Sequence, residues 1–202
     1  MALISATKTI FDAGAMAAGF GGSMSFIKKL TASSSANLTF VNGASSVVLD
    51  STFKTYLFTF KNIHPASDSV QFSVNFRDGG SSYDATKTTT VYRAYAAEGG
   101  ASGYGYETGF DLAQSTSAQH LSMELGADND QCCSGSMFLF NPSDTTFVKH
   151  FLSRFNTSQS GDLSMEHYVA GYNNVTAAID AVQFSMSSGN IDAGDICLYG
   201  IA

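Results

Sequence analysis

The sequence has no tryptophan, only two prolines and little charge. Asp, Glu, Lys and Arg make up 13% of its 202 residues, about half the share that is usual in a globular domain. Ten basic residues stand against 17 acidic ones, which gives a formal charge of −7. Because phosphate binding requires a surplus of Lys and Arg, we expect no nucleic-acid partner.

Long apolar runs and paired cysteines are also missing. No stretch approaches the roughly 20 apolar residues of a membrane helix, and Asp12 interrupts the best candidate for a signal-peptide core. The cysteines Cys132, Cys133 and Cys197 are odd in number, and two of them are neighbours, which is a poor geometry for a disulfide. We therefore expect free thiols in a soluble protein that is made in a reducing cytoplasm and does not insert into a membrane.

The residues that are abundant indicate β structure. The chain is 44% hydrophobic and 12% aromatic, which is enough for a core. Apolar and polar residues alternate over 70–76, which predicts a half-buried strand, and Asp78-Gly79-Gly80 predicts a turn after it. The other predicted strands are 38–41, 46–49, 56–61, 88–95, 119–125, 136–140, 146–155, 163–170, 179–186 and 195–201.

Many short strands separated by Gly, Asn-Pro and Ser-Gly turns predict a two-sheet antiparallel sandwich. Phe147, Phe151 and Phe155 lie four residues apart, so a helix is an alternative over 146–155, although strand alternation fits that segment as well. The sequence Ser188 to Ile201 predicts a turn and a strand with Ile196 and Leu198 on one face. We expect four phenylalanines to point into the core: Phe58, Phe60, Phe72 and Phe184.

The first 37 residues differ in composition from the rest. They are rich in Ala, Gly and Ser, with one short strand expected around 24–30, whereas sustained alternation begins at Leu38. Such a segment buries little apolar area by itself. We therefore divide the chain into an N-terminal arm over 1–37 and a β-sandwich domain over 38–202. We expect the arm to anchor the protein to a partner; the alternative is a flexible tail.

The common catalytic and metal-binding motifs are absent. There is no His-Glu-x-x-His, Gly-x-Ser-x-Gly, phosphate loop or Cys-x-x-Cys in the sequence. The four histidines are far apart and are expected at surfaces or interfaces: His64, His120, His150 and His167. Asp128-Asn129-Asp130 offers oxygen ligands for calcium but lacks the rest of an EF-hand loop, so a polar turn is expected. We expect no cofactor, no metal and no enzymatic activity.

A glycine-rich segment over 103–109 is the candidate binding loop. It carries Tyr104, Tyr106 and Glu107 between glycines. A tyrosine ring offers a flat apolar face to a sugar and a hydroxyl to orient it, and a carboxylate accepts hydrogen bonds from sugar hydroxyls. We expect a mobile, exposed loop that contacts a glycan receptor. The alternative is a hairpin tip whose tyrosines pack on a neighbouring subunit.

Several stretches together resemble a family of structural proteins of marine tailed phages. They run in order over residues 38–202 and are Phe60 to Pro65, Arg77 to Tyr83, Leu139 to Ser143, Phe147 to Phe151, Ala170 to Asn174 and the terminal Ser187 to Ile201. The resemblance implies a virion surface protein with a jelly-roll or lectin-like sandwich. It brings no catalytic or binding residues with it.

Three functions follow from these expectations. The first is a fibre or receptor-binding protein of the virion, assembled in the host cytoplasm as a homotrimer and joined to other virion proteins through residues 1–37. The second is a capsid decoration or head-fibre protein without a ligand. The third, an enzyme that cleaves glycans with a pair of carboxylates, is the least favoured. Its candidate residues are Asp84, Glu98, Glu107 and Asp111.

Overall fold

The computed structural model describes residues 23–202 and, before them, the backbone of three short strands. These strands, β1 (Leu3–Ser5), β2 (Lys8–Asp12) and β3 (Ala15–Met16), form a small antiparallel sheet. The remaining strands are β4 (Met24–Thr31), β5 (Leu38–Val41), β6 (Thr55–Pro65), β7 (Val70–Arg77), β8 (Lys87–Ala97), β9 (Ser102–Tyr106), β10 (Gln119–Leu125), β11 (Cys133–Phe140), β12 (Lys149–Gln159), β13 (Leu163–Asn173), β14 (Ala181–Met186) and β15 (Ile191–Ile201).

Strands β4 to β15 form two antiparallel layers. The larger layer has the order β4-β15-β6-β11-β12-β13-β8-β9, and the smaller layer has the order β5-β14-β7-β10. The layers are joined where Leu125 of β10 pairs with Gln159 of β12. The chain therefore has the predicted all-β, jelly-roll-like sandwich fold.

The core between the layers is built from phenylalanine. Phe58, Phe60, Phe72 and Phe184 are all buried, which confirms the predicted inward face. Phe72 stacks on Phe184 with 5.9 Å between ring centroids, and Phe60 meets both rings edge-on at 5.7 and 5.0 Å. Edge-to-face and offset contacts of this kind stabilise the fold beyond the effect of burying the rings. Side chains from both layers thus interdigitate in one core.

The C-terminal strand lies inside the larger layer. β15 pairs with β6 on one side and with β4 on the other. Ile196 and Leu198 are buried on one face, as predicted. β4 confirms the short strand expected around 24–30, so the sheet includes part of the segment 1–37. Apart from the backbone of β1, β2 and β3, the part of this arm before Ser23 lies outside the described residues.

Two local predictions have different outcomes. Over 146–155 the strand interpretation is correct and the helical alternative is not: β12 begins at Lys149, and Phe151 and Phe155 are buried on one face of it. The segment 46–49 is not a strand. Positive φ angles at Gly43, Ser45 and Ser46 turn the chain back on itself, and local bonds such as Gly43 N–H to the Val47 carbonyl replace pairing with another strand.

The cysteines are unpaired thiols, as expected. Cys133 is buried in the core, and burial raises the pKa of its thiol to about 12. Burial also raises the pKa of Cys132. Thiols held in this protonated state are poor nucleophiles. Within the described residues, no helix has the length and apolar character needed to cross a membrane.

Candidate functional site

The predicted loop over 103–109 is in large part a strand. Residues 102–106 form β9, the last strand of the larger layer, and among the described residues β9 pairs with β8 alone. Alternation explains the glycines: a Cβ on Gly103 would lie 2.6 Å from the ring of Tyr95, so glycine leaves room for that ring. Tyr104 and Tyr106 point to the opposite, outer face. The expectation of a loop is therefore wrong for residues 103–106, which belong to a strand, whereas Glu107 and Gly109 follow it in a turn.

Three tyrosines lie together on the outer face of the sheet edge, and we call them the tyrosine cluster: Tyr92, Tyr104 and Tyr106. The ring of Tyr92 is parallel to that of Tyr104 at 6.4 Å and perpendicular to that of Tyr106 at 5.2 Å. Tyr104 is 77% exposed, Tyr106 41% and Tyr92 40%. The cluster presents aromatic faces to solvent on a strand whose backbone is fixed by pairing.

The acidic partner of the cluster is Asp111 rather than Glu107. The Tyr106 hydroxyl donates to Asp111 Oδ2 at 2.6 Å, and this hydrogen bond raises the pKa of Tyr106. The Glu107 carboxylate instead forms an ion pair with Arg93, with 2.6 Å between Oε1 and Nε. Arg93 follows Tyr92 along β8, so its side chain leaves the opposite face of the sheet. Glu107 is thus held on the side of the sheet away from the rings.

Tyr168 extends the aromatic surface toward the middle of the layer. It pairs with Tyr92 in the register of β13 and β8. The guanidinium of Arg154 lies 5.3 Å from the centre of the Tyr168 ring and forms an ion pair with Glu166. The charge of Arg154 is therefore already paired, and it contributes a flat cationic surface beside the rings.

Three shallow grooves follow one another along the strands on this outer face. The middle groove, about 390 Å³, lies beside the tyrosine cluster and is lined by Thr90, Tyr92, Phe138, Leu152, Arg154 and Tyr168 among others. One neighbour, about 250 Å³, shares Thr90 and Leu152 with it and reaches His150 and Tyr172. The other, about 580 Å³, is polar and includes Asn156, Ser164 and the carboxylates of Glu98, Asp128, Asp130 and Asp162.

Grooves that adjoin along the strands suit an extended ligand better than a compact one. The aromatic and aliphatic lining of the middle groove gives contact area, and the hydroxyls, amides and carboxylates of the polar groove give hydrogen-bond partners. Pockets that bind small molecules combine these two kinds of surface.

The carboxylates considered for glycan cleavage have separate surroundings. Glu107 is paired with Arg93, Asp111 is bonded to Tyr106, and Glu98 lines the polar groove. Among the described residues, no hydrogen bond or ion pair links the carboxylates of any two of the four candidates, Asp84, Glu98, Glu107 and Asp111.

The Asp128–Asp130 turn is a polar turn, as expected. Gln131 closes it: its amide N–H donates to the Asp128 carbonyl at 2.8 Å and its side-chain oxygen accepts from the Asp128 N–H at 3.2 Å. Over the described part of the chain, no three His, Cys, Asp or Glu side chains are grouped to hold a metal ion.

One histidine lies where the sequence does not place it. His167 was expected at a surface or interface, but it is 1% exposed and lies inside the sandwich on β13. His150 is exposed beside Tyr172, with 6.0 Å between ring centroids. His120 bonds to Ser73 through Nδ1 at 2.8 Å, and His64 bonds to the Gln131 carbonyl at 2.7 Å.

Comparison with known proteins returned no matching family model, curated protein or solved structure.

Proposed function

We propose that this chain is a structural protein of the tailed-phage virion surface, of the fibre or receptor-binding type, and that its tyrosine cluster contacts host-surface glycan. The observation that carries the glycan contact is the cluster itself. The ring of Tyr92 packs against those of Tyr104 and Tyr106 at a sheet edge, while 40% to 77% of each residue remains in solvent.

Exposed tyrosines of this kind suit a ligand with both apolar and polar parts. A pyranose ring has an apolar C–H face that packs on an aromatic ring, and hydroxyls that bond to tyrosine and carboxylate oxygens. Tyr104 offers the most open ring face, and Asp111 offers a carboxylate beside Tyr106. The middle groove continues the same surface for a longer glycan.

The remaining parts of the proposal rest on the sequence. The resemblance to phage structural proteins and the low share of charged residues support a virion subunit that packs against uncharged neighbours. We propose a homotrimer that is assembled in the host cytoplasm, with residues 1–37 joining it to other virion proteins. Free thiols fit assembly in a reducing compartment.

An apolar surface at the other edge of the larger layer favours the second candidate, a capsid decoration or head-fibre protein. Phe26 on β4 is 61% exposed and touches Tyr199 edge-on at 5.6 Å, and Met24 beside it is half-exposed. Exposed apolar residues that adjoin on a sheet edge suit contact with another protein. In this alternative the protein stabilises the virion without binding a glycan.

Replacement of Tyr104 and Tyr106 by Ala tests the glycan contact. Each aromatic contact contributes about 0.5–1.5 kcal/mol, so the loss of two corresponds to a roughly 5- to 150-fold loss of affinity. Phage that carry both substitutions should assemble normally and adsorb to host cells more weakly by a factor in this range.

Phe147→Ala is the matched control, because Phe147 is 70% exposed and lies outside the grooves. It should adsorb like the wild type. Unchanged adsorption of the double variant would reject the glycan contact and favour the decoration role, for which the heat stability of particles lacking this protein is the next measurement.

A further inference from the structure

The interior of the sandwich holds two lysines. Lys87 on β8 and Lys149 on β12 are both fully buried, and Asn173 on β13 lies between them in the register of the three strands. Burial of an ammonium group is costly unless its hydrogens are bonded. The hydrogen-bond partners of each buried amine therefore distinguish the roles of the two lysines.

The hydrogen bonds that Lys149 makes within the described part of the chain go to backbone oxygens. Its Nζ donates to the carbonyls of Val175 and Thr176 at 3.1 and 2.8 Å. Among the described residues, Asn173 has no hydrogen-bond partner on Nδ2 or Oδ1, so it is bonded to neither lysine. These bonds give Lys149 a structural role, because they tie β12 to the backbone at Val175 and Thr176.

Lys87 differs because it touches a side-chain amide in the other layer. Its Nζ lies 2.5 Å from Oδ1 of Asn75, which belongs to β7, and it also donates to the Ala85 carbonyl at 2.8 Å. A C=O bond is about 1.23 Å long, so Nζ lies within about 3.7 Å of the amide carbon of Asn75. This upper limit lies just above the separation of about 3–3.5 Å at which reacting atoms are held for attack.

Two further bonds orient the Asn75 amide. The backbone N–H of Phe76 donates to Oδ1 at 3.1 Å, and Nδ2 donates to the Thr116 carbonyl at 3.3 Å. The Thr116 oxygen also lies 3.5 Å from Lys87 Nζ. The side-chain carbonyl of Asn75 thus faces the Lys87 amine, and Asn75 Nδ2 and Lys87 Nζ both lie beside the Thr116 carbonyl oxygen.

We propose that Lys87 and Asn75 form an intramolecular isopeptide bond that joins the two layers of the sandwich. The lone pair of the neutral amine attacks Cγ of Asn75, and the negative charge that forms on Oδ1 is stabilised by the Phe76 N–H. The Nζ–Cγ bond forms, the Cγ–Nδ2 bond breaks, and a proton passes from Nζ to Nδ2, which leaves as ammonia. The step needs no oxidant, metal or cofactor.

The environment of Lys87 also provides the neutral amine that this step requires. Burial lowers the pKa of Lys87 to about 8, although the charges of Asp84 and Asp78 act in the opposite direction. Roughly a tenth of the amine is then uncharged at pH 7, and this fraction rises roughly tenfold per pH unit below the pKa. The reaction should therefore be faster in mildly alkaline solution.

The mass of the purified protein tests the proposal, which does not depend on the proposed function. The expected mass is that of the sequence less one ammonia. After denaturation and trypsin digestion, the peptide 62–77 should remain joined to the peptide 78–93, with no cleavage after Lys87 because its amine is acylated. If the protein is isolated at full mass, the deficit should develop during incubation at pH 9, and faster there than at pH 6.

The two buried lysines provide matched variants. Asn75→Ala and Lys87→Met should restore the full mass, whereas Lys149→Met should keep the deficit. A full mass that persists at pH 9, with free cleavage after Lys87, overturns the proposal, and so does a deficit that survives in Asn75→Ala.

Discussion

Acid should destabilise this protein through the buried imidazole of His167. His167 is buried, and its Nδ1 lies 3.4 Å from Thr157 Oγ1. Within residues 23–202 its Nε2 has no hydrogen-bond partner. Burial, and secondarily the charge of Arg93, lower the pKa of His167 from 6.5 to about 4. The folded state therefore keeps this histidine neutral.

The sign and size of the effect follow from proton linkage. Above pH 6.5 the histidine is neutral in the folded and the unfolded chain, so it imposes no penalty. Between pH 6.5 and about 4 this histidine binds a proton only in the unfolded chain. The free energy of unfolding therefore decreases as the pH is lowered through this range. A difference of about 2.5 pKa units at 1.36 kcal/mol per unit corresponds to about 3 kcal/mol. This is a large part of the 5–15 kcal/mol that stabilises a typical domain.

Urea denaturation of the wild type and of His167→Gln at pH values from 7.5 to 4 measures the contribution of His167 to the free energy of unfolding. The wild type should lose about 3 kcal/mol more than the variant over this range, whatever their difference at pH 7.5. His150→Gln, at an exposed position, should follow the wild type. His167→Leu repeats the test if the glutamine variant does not fold. Parallel pH profiles of the wild type and the His167 variants would refute the buried, neutral histidine.

Two further predictions concern the fold. Phe72→Ala should lower the free energy of unfolding by about 3–5 kcal/mol because the ring is fully buried against Phe60 and Phe184, while Phe147→Ala should change it by less than about 0.5 kcal/mol; equal melting temperatures would contradict the register of β7. A chain beginning at Ser23 should be soluble and rich in β structure and should fail to bind virions that lack the protein, whereas the full chain binds. A chain beginning at Ser35 loses β4 and exposes the edge of β15, so it should melt at a lower temperature than the Ser23 chain. Equal melting temperatures would show that β4 adds no stability. Binding of either shortened chain to virions would place the attachment surface on the sandwich.

The strands were predictable where alternation is long and apolar. Val70, Phe72, Val74 and Phe76 have the signal of a half-buried strand, and β7 forms there. The segment 46–49 shows the limit of this signal, since Val47 and Leu49 are buried from an irregular segment rather than a strand. Burial alone does not distinguish these two cases.

The strand β9 was missed although its period was present. Tyr104 and Tyr106 alternate with glycines, and because glycine has low β-propensity the sequence favours a loop there. Gly103 instead leaves space for the Tyr95 ring on β8, whereas a side chain at Gly105 would meet no neighbour. Alternating glycine and tyrosine at the edge of a sheet was the signal that would have predicted the strand.

The partners within the candidate site depend on pairing between distant segments. Tyr92 joins Tyr104 and Tyr106 because β8 and β9 form a hairpin in one register, and Tyr168 joins them because β13 pairs with β8. The contact of Lys87 with Asn75 depends on the packing of one layer on the other. Neither register nor layer packing is encoded in a local pattern, so these groupings required the structure.

The location of the chain in purified virions tests the proposed function most directly. Immunogold labelling of intact particles with an antibody to residues 38–202, together with the copy number per particle, distinguishes the two candidate functions. The receptor-binding role predicts labelling at the tail surface with a small copy number, whereas many copies in icosahedral positions on the head would favour the decoration role. A chain that is synthesised during infection but absent from purified virions would contradict both.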